Sequence, residues 1–235
     1  MKILAIDTSA KTATAALTDG RRLLSLYTQN VGLTHSETML PMVEALLRDA
    51  KTDVDEIDMF ACAVGPGSFT GVRIGVSLVK GLAFGKNKIC VGISTLESLA
   101  RNIEVDGAVI VPVMDARRER LYSAVFKYEN GKYLRLTDDD ANPVNKIAEE
   151  ISKYVGDIYF VGDGYDIIGK AVEIKNKTPE ALRLPSGYSA ALAALDKYES
   201  ATAEERKNFT DALLSPDYLR PSQAERILTS KGVIL

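Results

Sequence analysis

Apolar residues in this chain fall into short blocks, and their period changes from block to block between two and about three and a half. Residues 3–6 (ILAI) read as a short apolar strand that ends at Asp7-Thr8-Ser9. Residues 12–18 (TATAALT) alternate, Asp19-Gly20 is a hairpin signal, and residues 21–28 return as a third strand. Met39, Leu40, Val43, Leu46, Leu47 and Ala50 recur at three and four positions, which predicts a helix over 35–50 with one apolar face. Residues 57–64 (IDMFACAV) predict a buried strand, a glycine-rich loop follows, and 71–84 predict a second helix. A strand over 88–93 and a helix over 95–102 close the first half.

The order then repeats. Residues 109–114 form an apolar strand ending at Asp115, 121–128 a second strand, Glu129-Asn130-Gly131 a turn, and 132–137 a third strand. An amphipathic helix over 143–154, a strand over 157–161 and a Gly162-Asp163-Gly164 loop leading into more helix complete the copy. Asp7 and Asp115 occupy equivalent places in the two copies. A doubled strand–strand–strand–helix–strand–helix unit predicts an α/β protein of two lobes, the plan of the actin, sugar kinase and Hsp70 (ASKHA) folds. The expected lobes are 1–102 and 103–235, with the boundary in the polar stretch 101–108, and a cleft between them is the natural place for a ligand. Further on, 186–199 reads as an apolar helix capped by Ser186, 203–209 as a charged helix, and PDYLRPSQAER as a turn-rich extension.

Composition narrows the function classes. Of the 235 residues, 46% are hydrophobic and 26% charged, the balance of a globular protein, and the net charge of −3 gives no global field for tight nucleic-acid binding by this chain alone. Cys62 and Cys90 sit in apolar strands without CxxC spacing or neighbouring histidines, which reads as two small buried hydrophobes in a reducing compartment. No apolar run approaches the roughly 18 residues of a membrane span, so the expectation is a cytoplasmic protein.

Candidate chemistry begins at Asp7, Thr8 and Ser9. A strand-end carboxylate followed by two hydroxyls, with Asp115 across the cleft, suits the phosphates and Mg²⁺ of ATP or ADP; the same residues also suit a capped bend. Arg117, Arg118 and Arg120 beside Asp115 are either a phosphate-binding cluster or a solvated face. The loop Gly65-Pro66-Gly67-Ser68-Phe69-Thr70-Gly71 precedes a helix, where backbone N–H groups bind anions. It is not a Walker A loop, because five residues separate Gly65 from Gly71 and Val72-Arg73 replaces the Lys-Ser/Thr pair; nor is it GxGxxG, because Thr70 stands at the third glycine.

The helix after the loop is apolar nearly all round, through Val72, Ile74, Val76, Leu78, Val79, Leu82 and Ala83. That reads either as a core helix or as one that packs on its sheet with one side and on a partner protein with the other. His35 is the only histidine. It begins a helix beside Ser36 and Glu37, so it fits a helix start better than a catalytic triad, and no histidine metal site can be assembled.

These residues, taken together, resemble the TsaB/YeaZ family over the whole chain. The resemblance is carried by KILAIDTSAKTATAAL at 2–17, THSETMLPMVEALL at 34–47, AVGPGSFTGVRIGVSLVKGLA at 63–83, GISTLESLA at 92–100, PVMDARRERLYSAVF at 112–126 and YLRPSQAE at 218–225. It implies a part in making the threonylcarbamoyl modification of an adenosine beside the tRNA anticodon. It also implies kinship with the catalytic paralogue TsaD, whose histidine–x–x–x–histidine motif binds a metal. Thr95 and Leu99 stand where those histidines would be, and a hydroxyl and an isobutyl group are no substitute for imidazoles. The implied role is therefore a non-catalytic subunit with no metal of its own. It would pair with TsaD through the helices 35–50 and 71–84, using Met39, Leu40, Val43, Leu46, Leu47, Val72, Gly75, Val76, Val79 and Leu82. The same surface would allow a homodimer, a TsaE-like ATPase would join, and tRNA would be met only through the complex. The rivals are an ATP-binding ASKHA-type kinase or ATPase using Asp7 and Asp115, and a peptidase, against which the single histidine speaks.

Overall fold

In the computed structural model, residues 1–219 are described; the RPSQAE part of the extension expected at 220–225 lies outside them. The first sheet contains β1 (Lys2–Asp7), β2 (Ala13–Asp19), β3 (Arg22–Gln29), β4 (Met59–Gly65) and β5 (Ile89–Ser94). Their order is β3-β2-β1-β4-β5, antiparallel through β1, β2 and β3 and parallel through β1, β4 and β5. Helices α1 (His35–Asp49) and α2 (Phe69–Ala83) cover one face. Alternation along the strands assigns each face. Leu4, Ile6, Phe60 and Cys62 point toward α1 and α2, whereas Ile3, Ala5, Met59, Ala61 and Ala63 point to the opposite side. Burial on both faces is why β1 and β4 read as unbroken apolar runs.

Short α3 (Thr95–Ala100) leads into the second sheet, built on β6 (Val109–Asp115). The strand expected over 121–128 is split into β7 (Arg120–Ser123) and β8 (Phe126–Glu129), which pair with opposite ends of β6. Between them the Val125 N–H donates to Thr137 Oγ1 at 2.8 Å, and the Val125 carbonyl accepts from Leu136 N–H. The third strand, expected over 132–137, is β9 (Lys132–Arg135), and β10 (Asp140–Pro143), unexpected from the sequence pattern, pairs with β7. α4 (Val144–Ile151) follows, and β11 (Ile158–Val161) adds parallel to the other edge of β6. Single turns α5 (Tyr165–Ile168) and α6 (Glu180–Arg183) lead to α7 (Gly187–Ser200) and the turn α8 (Ala203–Arg206).

A cut after residue 102 does not capture the lobes. α7 packs on the open face of the first sheet, where Ala190, Ala191, Ala193, Ala194 and Leu195 meet Ile3, Ala5, Met59, Ala61 and Ile93. The chain then stays there: Cys90 N–H donates to Phe209 O, Lys80 Nζ to the Leu214 carbonyl, and Asp217 N–H to Val64 O at 2.8 Å. The physical reason is that residues 1–102 supply helices for one face only. The other needs a helix of small residues, and at Gly187 a Cβ would lie 2.7 Å from the Ala16 backbone nitrogen, so the backbones approach closely.

Candidate functional site at the interlobe cleft

A cleft of about 600 Å³ opens between the sheets at the carboxyl ends of β1, β4, β6 and β11. This is where ligands of open α/β sheets bind. Ser9, Lys11 and His35 line it from the first lobe, together with the loop before α2, and Asp115, Arg117 and Asp163 line it from the second.

Of the four expected nucleotide residues, Ser9 and Asp115 line the cleft, whereas Asp7 and Thr8 are wholly buried beneath it. Asp7 Oδ1 accepts from the Ser9 N–H at 2.8 Å and from Ser9 Oγ at 2.6 Å, and Asp7 Oδ2 has no partner. Burial pushes the Asp7 carboxyl above the ordinary carboxylate range, and the Ser9 bonds only partly offset this. The Thr8 hydroxyl donates to the Gly71 carbonyl at 2.7 Å. Of the two carboxylates expected to face each other across the cleft, Asp115 lines it and Asp7 does not. On the β1 side the Asp7 carboxyl and the Thr8 hydroxyl are sealed beneath the cleft, so Ser9 is the polar residue of the three that reaches it.

The glycines of the loop serve that same corner. Ser68 N–H donates to Ser9 O at 2.7 Å. A Cβ at Gly67 would stand 2.4 Å from Ser9 O, at Gly71 2.1 Å from Thr8 O, and at Gly65 2.4 Å from Asp217 O. The loop is a backbone-to-backbone joint between β1, β4 and α2. Ser68 caps α2 by accepting the Gly71 N–H.

On the opposite wall, Asp163 Oδ1 accepts the Asp115 N–H at 3.0 Å, and Asp115 Oδ1 accepts the Arg117 N–H at 2.7 Å. Asp163 reaches solvent but is hemmed in by the cleft walls. That crowding raises its carboxyl, the Asp115 N–H pulls it back, and the Asp115 charge adds to the rise. Arg117, Arg118 and Glu119 take three successive left-handed backbone conformations (φ +63°, +56° and +58°), costly for residues with side chains. The arginine cluster is divided: Arg117 pairs with Asp115 at 3.3 Å, and Arg120 turns inward to the Ala141 carbonyl at 2.7 Å. Sequence reasoning passed over Asp163, whose signal was a second Gly-x-Gly after a strand. It also passed over Tyr218, which stacks on Phe69 at 4.7 Å and accepts from Arg73 Nε at 2.6 Å at the cleft mouth.

The expected interface residues need correction. Met39, Val43, Leu46, Leu47, Val72, Gly75, Val76 and Val79 are buried between α1, α2 and their own sheet. A periodic apolar stripe seeks the nearest sheet, and α2 is apolar all round because α1 covers a second side of it. Only Leu40 and Leu82 of the ten reach solvent, beside Pro41, Arg73, Ser77 and Gly81. Thr95 and Leu99 on α3 are fully buried, with the Thr95 hydroxyl unpartnered. His35 Nε2 bonds the Ala10 carbonyl at 2.8 Å. Among the described residues, no group of three or more His, Cys, Asp or Glu is placed to hold a metal ion, and no helix is long and apolar enough to cross a membrane.

Two sheets with a ligand-sized cleft at their strand ends define an ASKHA-type two-lobed fold. Component A of (R)-2-hydroxyglutaryl-CoA dehydratase from Acidaminococcus fermentans shares it at a TM-score of 0.52 and 11% identity, over 85% of this chain and 100% of that one. Residues 29–228 match the family model described as TsaD: tRNA N6-adenosine threonylcarbamoyltransferase. The tRNA threonylcarbamoyladenosine biosynthesis protein TsaB of Bacillus subtilis (strain 168) is 31% identical over 96% of both chains. YeaZ from Pseudomonas aeruginosa superposes with a TM-score of 0.72 at 25% identity, covering 93% of this chain and 99% of that one. The chain belongs to the TsaB/YeaZ family, within the wider family that the TsaD model describes.

Proposed function

We propose that this chain is an accessory subunit in threonylcarbamoyladenosine synthesis on tRNA, holding a TsaD-type catalytic subunit in its active arrangement without performing the transfer itself. The observation that carries this reading is the full-length likeness to TsaB combined with the chemistry at α3, where buried Thr95 and Leu99 offer no imidazole. The Asp7 carboxyl, sealed beneath the cleft, supports it as well. Contact with the catalytic subunit, or with a second copy, would use the outer faces of α1 and α2, around Leu40, Ser77 and Gly81. A TsaE-type ATPase would join, and tRNA would be met through the complex. The rival reading, an ATP-binding kinase or ATPase on Asp7 and Asp115, is not favoured by the buried Asp7.

The test is threonylcarbamoyl-adenosine formation on tRNA from ATP, threonine and bicarbonate with the adenylate-forming enzyme, TsaD and TsaE, with and without this chain. Product that requires the chain, and none from the chain when TsaD is left out, is the expected result. Equal product without it would end the proposal, and ATP turnover by the isolated chain would revive the rival.

A further inference from the structure

The chain crosses from the first sheet to the second through α3 and residues 101–108, and returns through residues 184–186. One amide ties the two crossings together. Asn102 Nδ2 donates to the Leu182 carbonyl at 2.9 Å and to the Leu184 carbonyl at 2.8 Å, while Asn102 Oδ1 accepts from Ser189 Oγ at 2.7 Å. Its neighbour Arg101, with a side chain only 7% exposed, reaches Asp196 on α7 at 2.6 Å and Glu97 on α3 at 3.1 Å. The Arg101 guanidinium lies 5.0 Å from the ring of Tyr133 on β9, and the Tyr133 hydroxyl bonds the carbonyls of Arg101 and Ile103, each at 3.1 Å. The charges continue outward on both sides. Glu97 pairs with Arg135 at 3.4 Å, and Arg135 with Asp139. Asp196 pairs with Arg21 at 2.6 Å, and Arg21 with Glu199 at 3.0 Å.

We infer that this polar spine, centred on Arg101 and Asn102, locks the two lobes at one opening, so that the cleft is a fixed groove and not a jaw that closes on a ligand. A hinge works by letting a few residues at the crossings change φ and ψ. Here the carbonyls of Arg101 and Ile103 on one crossing and of Leu184 on the other are held by side chains, together with that of Leu182 in α6 just before the return. Exposed ion pairs alone would hold little, but the centre of this chain of charges is buried, and removing one partner leaves a charge uncompensated there. The inference does not depend on the proposed function.

Spin labels at Arg48→Cys on α1 and Val155→Cys beyond α4, both exposed, report the lobe-to-lobe distance in the full chain, because Cys62 and Cys90 are buried. The expected result is one narrow distance distribution, unchanged by Mg²⁺ with ATP and unchanged in about 1 M salt, which screens surface charges within about 3 Å. Arg101→Gln combined with Asn102→Ala should widen it roughly twofold, and Arg135→Ala, at the more exposed end, should widen it less. A broad or two-peaked distribution in the parent protein, or a shift on adding nucleotide, would overturn the inference. So would an unchanged width in the substituted chains with circular dichroism intact. The parent measurement decides even if the double substitution fails to fold.

Discussion

The hydroxyl of Thr8 donates to the carbonyl of Gly71 at 2.7 Å, while the carbonyl of Thr8 sits 2.1 Å from where a Gly71 side chain would begin. The two residues are 63 positions apart in sequence and leave no space for a methyl group. Gly71→Ala should therefore cost about 3 kcal/mol or more in urea unfolding, since backbone would have to shift on both sides. Gly81, with nothing within 4 Å of its position, is the control. Gly81→Ala should stabilise the isolated chain by about 0.5–1 kcal/mol through helix propensity.

Asp7 carries a linkage of definite sign. Its folded pKa is raised by burial, so the stability it favours is fullest below the ordinary carboxylate range and is lost as pH climbs through the raised value. Asp7→Asn keeps the acceptor for the Ser9 bonds and removes the buried charge. Unfolding free energies measured from acid to neutral pH should show the variant gaining on the parent as pH rises above the ordinary carboxylate range. A variant less stable by the same amount at every pH would mean that Asp7 is not being forced to ionise in an apolar setting.

The outer and inner faces of α2 should respond differently to charge. Val79 is fully buried, so Val79→Glu should abolish cooperative unfolding by stranding a carboxylate in the core. Ser77 is exposed on the same helix, so Ser77→Arg should leave the melting transition within a few degrees of the parent. If that face meets a TsaD-type subunit, titration calorimetry should show the Ser77 variant binding about tenfold more weakly, or about 1.4 kcal/mol. Equal affinity would place the contact elsewhere.

Tyr218 fastens the end of the described chain to the first turns of α2. Its ring stacks on Phe69, and the Arg73 guanidinium lies 3.8 Å from the Phe69 centroid on the same cluster. Tyr218→Ala should cost about 1–2 kcal/mol in chemical unfolding, and Tyr218→Phe about 1 kcal/mol, the share of the Arg73 hydrogen bond. Equal losses for the two would assign all of the contribution to the hydroxyl.

Period and turn chemistry alone were enough for most of the elements. Lys2–Asp7, Ala13–Asp19 and Arg22–Gln29 follow from local alternation and Asp19-Gly20, and α1 from its spacing of three and four. Doubling of the unit, and with it the two lobes, was legible because each copy repeats the same order of periods. Family membership was legible because the GPGSFTGVRIG text is a joint whose glycines have no substitutes.

Tertiary structure decided what each apolar stripe faces. Met39 or Val76 has the same sequence pattern whether it meets a sheet or a partner, and only the packed fold shows that the sheet takes it. It decided the lobes' true membership, since burial of the second face of the first sheet waits for an alanine-rich helix more than 80 residues past the expected boundary. It also decided the chemistry of Asp7. A carboxylate at a strand end is written the same way whether it faces a cleft or lies under one, and its charge state follows from the water around it, which no local pattern records.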